Sequence, residues 1–173
     1  MKVRSISIVV VLALVAGVTL TVAFSAKAVP PPTATNTFTN IPVTGECANR
    51  VSGAEGTFTG TLSVTGFAAQ GNKLVANGTL SGVCSVAGTV TDQQVTAPVR
   101  IAQATCDVLT LVLGPLHLEL LGLVVDLNQV VLTITANPSG GLLGQLLCSL
   151  AGGGPLQQIV DLLNQILAIL QRL

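Results

Sequence analysis

The residues able to do chemistry are few. His117 is the one histidine of the 173-residue chain, and it stands two positions before Glu119. An H-x-E pair on one strand face could give two ligands to a metal, but a site needs a third and a fourth, and none lies nearby in sequence. The plainer reading is an exposed His–Glu pair on a wet strand face. Glu119 and Asp126 could form the two-carboxylate arrangement of a glycosidase. Alternation places Glu119 toward solvent, however, and nothing marks a cleft. A Ser-His-Asp triad would need a serine on a sharp elbow, and no G-x-S-x-G occurs. Gly152-Gly153-Gly154 precedes a helical pattern without the lysine and Ser/Thr of a phosphate-binding loop. These patterns predict a protein that is not an enzyme and that takes no cofactor and no metal.

Four cysteines remain: Cys47, Cys84, Cys106 and Cys148. They form no C-x-x-C, so zinc and thioredoxin-like spacings are absent. In an oxidising compartment they read as two structural disulfides. Three pairings are open. Cys47–Cys84 with Cys106–Cys148 is preferred, since each bond then ties one half of the domain to itself.

The compartment is read from the N-terminus. Lys2 and Arg4 precede 19 uncharged residues, Ile6 to Phe24, and Ala26-Lys27-Ala28 supplies small residues at both positions of an A-x-A site. The pattern predicts a signal peptide, residues 1–28, cleaved after Ala28. The rival is an uncleaved anchor over residues 6–24. Residues 29–45, with Pro30-Pro31-Pro32 and a Thr/Asn/Ala run, read as an extended linker. Residues 46–173 then form a single disulfide-bonded β domain with C-terminal helices. After cleavage four cations face seven acids, a net charge of −3.

Composition excludes several classes. Half of the chain is hydrophobic and 8% is charged, the reverse of a disordered segment. Tryptophan and tyrosine are absent and basic residues are scarce, which excludes nucleic acid as a partner.

The elements that must carry these residues are mostly strands. Phe58, Leu62 and Val64 alternate with Thr57, Thr59, Thr61, Ser63 and Thr65. Gln70-Gly71-Asn72-Lys73 is a turn signal, and Leu74, Ala76, Leu80 and Cys84 continue the apolar face. An antiparallel hairpin with one wet, Thr-rich side follows. Gly60, Gly66, Gly78 and Gly82 predict bulges or close backbone approach. Thr91-Asp92-Gln93 reads as another turn, and Pro98 makes the strand after it an edge. Between residues 106 and 136 the alternation changes phase repeatedly, which predicts four short strands or two long bulged ones. Off-phase Val112, Leu121, Val124 and Val131 predict cover on both faces. Leu142 to Leu150 has helical spacing. The last helix, from Pro155 at its first position, shows a wide apolar face and a polar stripe of Gln157, Asp161, Asn164, Gln165, Ala168 and Arg172. The fold class is mainly β: an antiparallel twisted sheet or partly open barrel with two C-terminal helical segments packed on it.

The segment from Cys106 through Leu109-Thr110-Leu111-Val112-Leu113-Gly114-Pro115-Leu116-His117-Leu118-Glu119-Leu120-Leu121-Gly122-Leu123 to Leu146-Leu147-Cys148 resembles a theme of uncharacterised secreted bacterial proteins, C…LxLxLGPLxLxLLGL…LLC. It covers about a quarter of the chain. The resemblance implies pairing of Cys106 with Cys148 and brings no activity with it.

The functional expectation rests on aliphatic excess. With so few charges, part of the leucine-rich surface must fill a core, line a pocket or meet another molecule. The expected role is a binding or structural module at or outside the cell surface, with a second copy or a cell-surface component as its partner. The alternative is a carrier that holds an acyl chain or lipid between sheet and C-terminal helix. Its lining would come from Leu111, Leu113, Leu118, Leu120, Leu132, Ile134, Ile159, Leu163 and Ile166.

Overall fold

The computed structural model describes residues 33–35, 38–139 and 141–173. The expected signal peptide, residues 1–28, lies outside them. The chain forms β1 (Thr33–Thr35), β2 (Ile41–Asn49), β3 (Ala54–Gln70), β4 (Lys73–Cys84), β5 (Gly88–Ala104), β6 (Val108–Leu113), β7 (Leu116–Leu120), β8 (Leu123–Leu127) and β9 (Val130–Thr135). Two helices follow, α1 (Leu142–Ala151) and α2 (Leu156–Leu170). The sheet order is β1-β9-β6-β5-β4-β3-β2-β8-β7, antiparallel throughout except for β1 beside β9. The result is the expected mainly β fold, a curled half-barrel with two C-terminal helices.

The curl follows from chain length. β6 and β7 are six strand spacings apart in the sheet, roughly 29 Å if it were flat at about 4.8 Å per strand. Gly114 and Pro115 alone join them, and three Cα steps reach at most about 11 Å. Asn128 and Gln129 impose the same limit between β8 and β9. The two ends of the sheet must therefore approach each other.

The concave face is the core. Phe58, Leu62, Leu80, Leu109, Leu111, Leu132 and Ile134 are buried there, and Leu147, Leu163 and Ile166 of the helices pack into the same cluster. Thr57, Thr59, Thr61 and Thr65 are exposed on the convex side, as period-two alternation requires. Among the described residues no polar or charged side chain is buried. Both disulfides have the preferred pairing, Cys47–Cys84 and Cys106–Cys148, and fit an oxidising, extracellular setting. No helix among the described residues is long and apolar enough to cross a membrane.

Five local readings are corrected. The folded unit begins before Glu46: β2 starts at Ile41, and Phe38, Ile41 and Val43 are core residues. The Pro/Thr-rich composition around them concealed Phe38 and the alternation of Ile41, Val43 and Cys47. Thr91-Asp92-Gln93 is a bulge inside β5, not a turn. Asp92 takes φ 46°, its backbone N–H donates to Ser81 Oγ at 2.9 Å, and the register slips opposite it between Leu80 and Gly82. β5 is an interior strand despite Pro98. Pro98 is the last residue paired with β4, and Val99 is the first paired with β6, so the proline sits where the strand changes partners. Pro155 stands at the N-cap of α2 and not inside it. Of the off-phase residues, Val112 is buried and Val124 and Val131 half-buried, but Leu121 is fully exposed at the tip of the β7–β8 turn. With Gly122 it supplies the two positive φ values such a turn needs.

Asn164 departs from the expected polar stripe of α2. Its side chain turns to the sheet, accepting from Phe67 N at 2.8 Å and donating to Phe67 O at 3.0 Å. Pairing of β3 with β2 ends at Leu62 while pairing with β4 continues through Phe67, and the amide fills in for the missing strand neighbour. Asn164→Ala is expected to cost about 2 kcal/mol by leaving both backbone groups without a partner. Urea unfolding measures the loss, and faster amide exchange at Phe67 locates it.

Candidate functional site

Two surface regions collect the side chains with binding or chemical potential. The first lies on the convex face, where register brings together His117 on β7, Asp126 on β8 and Glu46 on β2. His117 Nδ1 is hydrogen-bonded to Asp126 Oδ1, and its Nε2 lies 3.6 Å from Glu119 Oε1. Arg50, from the turn after β2, closes on Glu119 at 2.5 Å. The expected His117–Glu119 pair is thus present on one exposed face. His117 touches both Asp126 and Glu119, and Arg50 pairs with Glu119, so each carboxylate is engaged by a basic side chain. All four side chains are more than half exposed, so water reaches every group. Among the described residues, all cysteines are in disulfides and no three His, Cys, Asp or Glu side chains are grouped to hold a metal.

The hydrogen bond that the ring donates to Asp126, aided by the charge of Asp126 and by Glu119, raises the pKa of His117 above the ordinary 6.5. The fold therefore favours the protonated ring. Its contribution to stability is complete below pH 6.5 and disappears as pH rises through the raised value. An NMR titration of the His117 ring should give a midpoint above 6.5, and Asp126→Asn should move it back down. A midpoint unmoved by that substitution would contradict the assignment. Asp107 is shifted the other way: the Thr105 hydroxyl, donating at 2.7 Å, holds its carboxyl below the usual range and fixes the β5–β6 turn beside Cys106.

The second region is a groove of about 500 Å3 between the start of α2 and strands β4 and β5. Leu74, Pro98, Val99, Ile101, Leu156 and Ile159 line it, with Asn72, Lys73 and Arg100 at its polar rim. The groove exists because β5 leaves β4 at Pro98 and bends toward β6, while α2 begins across the opening. Ile101, Leu156 and Ile159 remain half-buried, packed against the core yet reachable from outside.

The nine side chains expected to line an apolar ligand site fall in different places. Leu111, Leu113, Leu132, Ile134, Leu163 and Ile166 are at most 1% exposed and pack in the interior. Beside Leu113 a half-open apolar dimple, lined by Val43, Leu62, Leu127 and Val130, holds only about 10 Å3, barely a water molecule. Leu118 and Leu120 are half-buried against the core on β7. Ile159 alone of the nine reaches the groove. The sequence reading missed Lys73, Leu74, Ile101, Arg100 and Leu156 as groove residues. Their common signal is position, at the β3–β4 turn, at the partner change of β5 and in the first turn of α2, and it is visible only once strand order is known.

No family model, curated protein or solved structure matches the chain.

Proposed function

We propose that this chain is an exported, non-enzymatic binding domain that works at or outside the cell surface, and that its binding surface is the groove between α2 and strands β4 and β5. The observation that carries this reading is the groove itself: a mainly apolar depression of about 500 Å3, within the size range of small-ligand sites, left open beside a filled core. The proposal keeps the idea of an apolar ligand between sheet and C-terminal helix but moves it from the interior to the surface. The two disulfides support work in an oxidising compartment. Export with cleavage after Ala28 is checked by N-terminal sequencing of the secreted protein, which should begin at Val29.

Methyl NMR with decanol, an uncharged alkyl chain, tests the binding surface. Saturable shifts at Leu74, Ile101, Leu156 and Ile159, abolished by Ile159→Asp, are expected. Shifts centred instead on Leu111 and Ile134 would return the ligand to the interior, and the absence of any saturable shift would remove the reading.

A further inference from the structure

We propose that the groove selects a free, single-chain amphiphile with an anionic head, its alkyl chain lying on Leu74, Ile101, Leu156 and Ile159 and its head held by Lys73 and Arg100. This rests on the groove being the binding surface and adds the chemical class of the ligand.

The argument is one of charge placement. The described residues carry seven carboxylates and four cations, Arg50, Lys73, Arg100 and Arg172. Arg50 is paired with Glu119. Two of the other three line this one groove, and no carboxylate lines it. Among the described residues neither Lys73 nor Arg100 has an ion-pair partner. Lys73 begins β4 and Arg100 lies two residues past the last β4–β5 pair, Val75–Pro98, and both line the groove that opens there. Two cations that share a groove without a carboxylate favour an anion there. The first turn of α2 contributes Leu156 and Ile159 to the same groove and carries no acid and no side-chain cap, so it adds no negative charge there. A carboxylate or phosphate head fits this rim, and an alkyl chain fits the floor. The negative balance of the described residues disfavours an anionic bilayer surface, which points to the monomeric ligand.

Calorimetric titration of the oxidised full protein with decanoate, decanol and phosphatidylglycerol vesicles tests the inference. Decanoate is expected to bind about tenfold more tightly than decanol, with added salt narrowing the gap. The double variant Lys73→Gln/Arg100→Gln should abolish that preference, bringing decanoate affinity down to that of decanol. Both side chains are exposed, and an unchanged melting curve would show that the fold is kept. Equal affinity for decanoate and decanol would overturn the anionic selection and leave the groove reading standing. Failure of both to bind would overturn the two together. Binding to vesicles without binding to monomeric decanoate would overturn the monomer assignment.

Discussion

Replacing Cys47 and Cys84 together by alanine is expected to destabilise the domain by about 4 kcal/mol, a fall in melting temperature of roughly 10–20 °C. The bond closes a loop of 37 positions, and its loss frees the unfolded chain accordingly. The native sheet loses something as well. Cys47 pairs with Gly56 and Cys84 with Phe58, so the bond passes over β3 from β2 to β4. Strands two places apart lie roughly 9.6 Å apart in a flat sheet. Here the Cα atoms are 6.1 Å apart, so the sheet is bent where the bond spans it. Both cysteines are buried on the concave side. Thermal unfolding followed by circular dichroism, with Cys106–Cys148 intact, measures the effect. A fall of less than about 3 °C would show that packing alone maintains the bend.

Phe58→Ala should cost about 3–5 kcal/mol. The ring is fully buried, beside the same disulfide. It lies over backbone that has no side chain to displace: a Cβ built on Gly82 would stand 2.5 Å from Phe58 Cζ, and one on Gly60 3.0 Å from Cε1. These two glycines make room for the ring, and truncating it leaves a cavity that neither can fill. Urea unfolding should show a lower midpoint with an unchanged slope. A loss below about 1 kcal/mol would mean that the sheet collapses onto the vacated space.

Local pattern was readable wherever the cause was local. The alternation of Phe58, Leu62 and Val64 against threonines identified β3 and its buried face, because a pleat allows no other assignment of sides. Phase changes at Gly114-Pro115, Leu121-Gly122 and Asn128-Gln129 marked the breaks between β6, β7, β8 and β9, although the pattern left four short strands and two bulged ones both open. What could not be read depends on neighbours distant in sequence. Pro98 suggested an edge because one residue cannot reveal that its strand changes partners there. Thr91-Asp92-Gln93 has turn chemistry, and a bulge uses the same chemistry within a continuous strand. Asn164 looked like a solvent residue because the unsatisfied groups it serves, at Phe67, are 97 positions away. The groove was hidden for the same reason: Lys73, Arg100 and Ile159 meet only after two strands and a helix have been placed. Leu111, Leu113, Leu132 and Leu163, by contrast, face the interior as their spacing suggested, but burial does not distinguish a packed interior from a ligand site.

The position of the β7–β8 hairpin has a kinetic consequence. β2 is the first long strand to be made, yet its second neighbour, β8, comes about 80 positions later. Until then one side of β2 presents free amides and carbonyls, an adhesive border for any other extended chain. Pairings so far apart give a high contact order and slow acquisition of the native state. The β2–β5 meander, built from adjacent segments, should be protected from hydrogen exchange first, and β8 and β7 last. The vulnerable species for self-association is then the molecule whose final hairpin has not yet docked.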